Sequence, residues 1–281
     1  MHRTFVFALA ALALSGCSGV VDSIKSTFGS QPTASIEEVR FADFDLRSVT
    51  LDFRVEVTNP YTFDLPVVGL DYALNTNAQP FLDGSMDVDE NIPAQGVKMI
   101  TLPLRVDLIG LLDTTRSIRP GQVLPYEAQL GLNVDIPGAG PMKLPLTRSG
   151  ELPIPAPPEV SIASIDWESM SLSEVKGTLL LDVSNPNEFA FTLKSFDYDL
   201  SLAGYSVAQG EGARSKWLSA GHQGQVPVPI TFSPGDAGTA LLGMLGGTQV
   251  DYALTGKLDI ETPYGVITTP FDQTGRASQT R

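Results

Sequence analysis

Few residues of this 281-residue chain could do chemistry, and they are scattered. His222 lies in the loop-like stretch "SAGHQGQ", and any Ser-His-Asp relay would have to run through it. No nucleophile-elbow pattern accompanies it, so the residue reads as a surface-turn histidine rather than a base. Zinc asks for several His, Cys or carboxylate ligands, and a chain with one cysteine and two histidines offers no such set. "LDGSMDVDENIP" gathers Asp83, Asp87, Asp89 and Glu90, the oxygen donors that calcium takes, but at a spacing unlike an EF-hand loop. A solvated acidic loop is the expectation there. No catalytic residue, metal site or cofactor is expected.

One residue does point to chemistry, and it is a modification. "MHRTFVFALAALALSGC" has Arg3 in a short basic region, an apolar run from Phe5 to Leu14, and small residues before Cys17, the only cysteine. The run is too short to span a bilayer and has the anatomy of a secretory signal. Leu14-Ser15-Gly16-Cys17 resembles a bacterial lipobox, which implies cleavage before Cys17 and lipidation of its sulfur. Several acyl chains on one residue anchor a protein firmly, at about 0.8 kcal/mol per buried methylene. Ser18 in the next position resembles an outer-membrane sorting signal, so the expected location is the cell envelope, on the periplasmic face of the outer membrane.

Acidic residues outnumber basic ones 32 to 18, a formal charge of -14. Such a chain is repelled by phosphate backbones, which argues against a nucleic-acid partner. Its 42% hydrophobic content marks it as folded.

The elements that would position any site come in two copies. Asn59-Pro60, Phe63, Tyr72 and Leu74 return 126 residues later as Asn185-Pro186, Phe189, Tyr198 and Leu200. The same offset pairs Gly96 with His222, Pro103 with Pro229 and Tyr126 with Tyr252, which indicates duplication. The expected division is a signal peptide over 1–16, a lipidated tether over 17–34, domains over 35–150 and 158–281, and a proline-rich linker over 151–157. Four prolines in "ELPIPAPPEV" favour an extended, semi-rigid spacer between two separate cores.

Within each copy the local pattern is strand. Val49, Leu51, Phe53, Val55 and Val57 alternate with polar residues, and "VKGTLLLDVS" repeats most of that alternation. Pro103 and Pro229 cannot donate to a ladder, so their strands belong at an edge or carry a bulge. "PGAGP" is placed as a hairpin turn. One short helix per copy is expected, capped by Asp107 in the first and by Ser233 in the second. About seven strands and a helix per copy give an all-β chain of two tandem β-sandwiches. Asn-Pro then ends a strand and starts a turn, a role in architecture rather than catalysis.

These residues resemble the late embryogenesis abundant type 2 family, with its water stress and hypersensitive response (WHy) domain. In that family an alternating strand ends in Asn-Pro and is followed by an apolar strand carrying a tyrosine, as in "VEVTNPYTFDLPVVGLDYAL" and "LDVSNPNEFAFTLKSFDYDL". The resemblance implies an immunoglobulin-like or fibronectin-III-like sandwich and a link to desiccation tolerance. It makes Asn59, Pro60, Phe63, Tyr72, Asn185, Pro186, Phe189 and Tyr198 a structural signature, and it supplies no catalytic residue. Three functions stay open: a membrane-tethered protective protein, a lipid-binding or lipid-transfer module, and a scaffold for a periplasmic protein partner.

Overall fold

A computed structural model describes residues 30–76, 79–114, 118–171, 173–212, 215–233 and 249–277. Cys17, the signal segment and the helix expected after Ser233 lie outside these residues. The first half contains β1 (Thr33–Ala42), β2 (Ser48–Thr58), β3 (Leu65–Thr76), β4 (Gln79–Ile92), β5 (Val97–Asp107), helix α1 (Leu108–Thr114), β6 (Val123–Ile136) and β7 (Gly140–Pro153). The second contains β8 (Glu159–Met170), β9 (Val175–Ser184), β10 (Phe191–Leu202), β11 (Tyr205–Gly212), β12 (Lys216–Leu218), β13 (Gln223–Phe232), β14 (Val250–Thr262) and β15 (Gly265–Ala277). The two inventories match strand for strand at the sequence offset, with β11 and β12 together standing where β4 stands.

Each half is a sandwich of two antiparallel sheets. In the first, β1-β2-β5 faces β4-β3-β6-β7. In the second, β8-β9-β13 faces a sheet ordered β11-β10-β14-β15, with β12 also on β10. The alternation sets which side is buried: Leu51, Phe53, Val55 and Val57 of β2 are fully enclosed while Asp52, Arg54 and Glu56 are not. Burying a side chain of this kind is worth about 1.5–3 kcal/mol. β5 and β13, which carry Pro103 and Pro229, are edge strands, and both pair with their neighbours without a register shift. The missing N–H groups thus fall where no ladder partner is needed.

Asp107 Oδ1 accepts the Ile109 N–H at 3.1 Å, capping α1. Pro137, Gly138 and Ala139 form the tight turn between β6 and β7, where Gly138 has φ +82°. Asp83, Asp87, Asp89 and Glu90, expected in a loop, instead belong to β4. That strand is the free edge of its sheet, where carboxylates stay hydrated and discourage pairing with another chain. Glu90 is ion-paired with Lys98 at 2.7 Å, and among the described residues no group of three or more His, Cys, Asp or Glu is placed to hold a metal.

The linker also differs from an open spacer. Residues 152–156 are buried, and aromatic side chains from both halves meet beside them.

Candidate functional site

Among the described residues, the two asparagines of the Asn-Pro steps are the most enclosed polar side chains, Asn59 at 1% exposure and Asn185 at 0%. Each stands where its strand ends and the chain turns toward the facing sheet. Asn59 Nδ2 donates to the carbonyls of Phe63 (2.8 Å), Ile92 (3.1 Å) and Pro93 (3.0 Å), and its Oδ1 accepts the Tyr61 N–H at 2.9 Å. Asn185 repeats this on Phe189 (2.9 Å), Leu218 (3.3 Å) and Ser219 (3.0 Å), with Oδ1 accepting the Asn187 N–H at 3.0 Å. A primary amide suits the position because it supplies a donor and an acceptor at once. The carboxamide ties the strand end, the turn and the β4–β5 or β12–β13 connection into one knot.

His222 has a plain place in this knot. Its backbone carbonyl accepts the Asn185 N–H at 2.9 Å, as the Gly96 carbonyl accepts that of Asn59 at 2.8 Å. Its ring points outward and lies 2.7 Å from its own neighbour's carbonyl, that of Ala220. The bond to the asparagine uses only the backbone at this position, so both glycine and histidine can supply it.

The signature tyrosines cover glycines on the adjoining strand. Tyr72 is directly opposite Gly84 and Tyr198 opposite Gly210. A Cβ on Gly84 would lie 2.7 Å from the Tyr72 hydroxyl, and one on Gly210 would lie 2.9 Å from the Tyr198 ring. Tyr126 over Gly150 and Tyr252 over Gly275 repeat the arrangement on β6–β7 and β14–β15. An aromatic ring laid over a cross-strand glycine restores the packing that the missing side chain forfeits. These glycine partners were missed in the sequence, although Tyr72/Gly84 and Tyr198/Gly210 share a 12-residue spacing. Tyr198 also donates its hydroxyl to the Pro229 carbonyl in the facing sheet, and its burial raises the phenol pKa.

The second asparagine-proline loop has an added role, as it forms the junction with the first half. Asn187 Oδ1 accepts the Ala156 N–H at 2.8 Å, and Asn187 Nδ2 donates to the Ala156 carbonyl at 3.1 Å and to Asn185 Oδ1 at 2.9 Å. The linker is therefore held as if by a paired strand. Glu188 donates its N–H to the Gly121 carbonyl at 2.6 Å, and its carboxylate accepts the Val123 N–H at 2.8 Å. Gly121 has φ +92°, and a Cβ there would lie 2.7 Å from the Pro186 carbonyl, so glycine permits the close approach. Tyr264, in the β14–β15 turn, lies 5.2 Å from Phe41, 6.0 Å from Phe44 and 5.3 Å from Phe189. Burial, aided by the Glu151 carboxylate, raises the Tyr264 phenol pKa. The two sandwiches thus join head to tail: the asparagine-proline end of the second rests on the far end of the first.

A family model described as late embryogenesis abundant protein (LEA_2) matches residues 54–150 and matches again over residues 180–275. The chain belongs to this type 2 family, as two tandem copies. A desiccation protectant protein Lea14 homolog of Glycine max is 28% identical over 125 residues, covering 44% of this chain and 82% of the relative. Late embryogenesis abundant protein Lea14-A of Gossypium hirsutum is 26% identical over 136 residues, covering 48% and 89%. The solution structure of AT1g01470 from Arabidopsis thaliana aligns at 24% identity and a TM-score of 0.37, over 45% of this chain and 84% of that one. Each relative corresponds to about one half of this LEA type 2 chain.

Proposed function

We propose that this protein is a non-enzymatic envelope lipoprotein that protects the cell against water loss, carried on the membrane by Cys17 and acting through its two sandwich halves. The observation that carries the reading is that relatives named for desiccation protection match this chain at the level of one module, and the chain holds that module twice. Chemistry at the sites agrees with it, since the buried Asn59, Asn185 and Asn187 spend their described polar contacts on backbone groups and, between Asn187 and Asn185, on each other. The lipobox-like Leu14-Ser15-Gly16-Cys17 supports the tether.

The test is survival of drying and rewetting in host cells lacking the gene, complemented with the wild-type chain or with Cys17→Ser. Wild type is expected to restore survival and Cys17→Ser to fail. Equal survival of complemented and uncomplemented cells would overturn the protective role. Metabolic labelling with a fatty acid tests the tether separately: label on wild type and none on Cys17→Ser is expected. The lipid-carrying reading gains no support from the described concavities, which are open surface notches such as that beside Asp197, Gly210 and Gly256.

A further inference from the structure

The two ends of the elongated molecule differ in chemistry. Thr33 pairs with Thr58, so the chain comes in at the asparagine-proline end of the first half, while the opposite end of that half is covered by the second. Four segments meet at this incoming end: residues 30–33, 58–64, 92–97 and 136–141. Within them the charged residue is Asp64, with the exposed Asp135 opposite Pro141 and Lys98 after Val97 at their margin, in a chain that is 18% charged. The Asp64 carboxylate is itself engaged, accepting the Ala94 N–H at 3.0 Å. Thr62, Pro93, Gln95, Pro137 and Ala139 are exposed here, and Val97 is 58% exposed. The Gly138 turn projects clear of its surroundings, since an added Cβ would meet nothing within 4 Å.

We propose that this sparsely charged end rests on the surface of the lipid bilayer and stands the two halves in file away from it. The proposal builds on the lipidation of Cys17. The 12 residues between Cys17 and Ser30 reach at most about 45 Å, so this end is held within that distance of the membrane. The flanks carry exposed carboxylates, Asp83, Asp87 and Asp89 on β4 and Asp197 on β10. Those groups are repelled by anionic headgroups within roughly 10 Å. The incoming end feels little of that repulsion, and its proline, alanine and valine side chains lose little hydration on contact. With β6 and β7 of 14 residues rising about 3.3 Å per residue, the second half begins some 45 Å from the lipid.

The full-length lipidated protein, reconstituted in vesicles of phosphatidylethanolamine and phosphatidylglycerol, tests this. A thiol fluorophore is placed at Thr62→Cys or, at the far end, at Ser173→Cys, Cys17 being blocked by its acyl chains, and headgroup-level spin-labelled lipid is added as quencher. The Thr62 label is expected to lose most of its emission and the Ser173 label to keep it. Adding Val97→Glu and Ala139→Glu should restore the Thr62 emission while the protein still floats with the vesicles. Equal quenching at both positions would mean that the molecule lies flat, and no quenching at Thr62 would mean that it hangs free; either overturns the proposal. Failure to float would instead count against lipidation itself.

Discussion

Asn59-Pro60-Tyr61-Thr62 and Asn185-Pro186-Asn187-Glu188 fold into the same knot but face different surroundings. In the first half Tyr61 turns inward, buried and stacked on Phe63 at 5.1 Å. In the second, Asn187 spends its amide on the linker and Glu188 reaches across to Val123. A one-residue difference in the neighbouring turns goes with this: Pro137, Gly138 and Ala139 in the first half stand where the second has Pro263 and the junction's Tyr264. The comparison teaches that the asparagine-proline knot is a fixed frame, and that the two residues after it decide what the end of the sandwich meets.

Separating the halves should have the largest effect. A fragment of residues 158–281 loses the partners of Asn187 and Glu188, and is expected to be less stable than the same half in the intact chain by about 2–5 kcal/mol, at about 1 kcal/mol per hydrogen bond. Tryptophan emission, which comes from Trp167 and Trp217 in that half alone, reports its unfolding in both settings. Equal midpoints would show that the junction adds nothing.

Next come the asparagines. Asn185→Ala should cost about 3 kcal/mol and Asn59→Ala nearer 2, because each leaves buried carbonyls without a donor and the first also frees Asn187. Denaturant melts of the full chain measure both. A larger loss at Asn59 would reverse the ranking of the two ends.

A third test concerns how the halves divide volume between facing strands. Leu70 opposite Met86 in the first half corresponds to Phe196 opposite Gly212 in the second. A Cβ on Gly212 would run into the Phe196 ring. Gly212→Met should therefore destabilise by about 1–3 kcal/mol, and Phe196→Leu in the same chain should recover much of the loss. Simple additivity of the two changes would break the claim that they share one space.

The smallest effect is electrostatic. The Asp71 carboxyl pKa is lowered by Lys143 first and by Asn133 second, and that of Asp259 by Thr268 first and Ser195 second. A depressed carboxyl stabilises the fold above its unfolded pKa, near 4, and loses that contribution as pH falls through its lower folded value. Acid titration of melting temperature should show a slight fall in wild type that is weaker in Asp71→Asn. Salt should weaken the Asp71 contribution, led by Lys143, more than that of Asp259, where the Thr268 and Ser195 hydroxyls outweigh the Lys257 charge.

Much of this architecture was legible because duplication wrote it twice. The alternation of β2 and β9, the edge prolines and the constant offset all survive in the residues themselves. The β4 acids misled because carboxylates suit loops on average, and only the strand's place at the sheet edge makes them tolerable. The prolines of the linker signalled extension, while its burial depends on Asn187 and Tyr264, distant in sequence and meaningful only once the two ends touch. The aromatic covers over glycine were present as spacings, but a glycine in a strand has no side chain to announce its partner.

The unequal division of volume bears also on how such a chain avoids tangling with itself. Tandem copies with matching strands are prone to trade strands while folding. A swap of β3 for β10 would press Phe196 against Met86, where there is no room, and leave Leu70 over Gly212, where a hollow would remain. Leu130 opposite Leu146, against Gly256 opposite Phe271, sets the same obstacle on the neighbouring pair of strands. Each half thus carries a lock that the other half's strands do not fit.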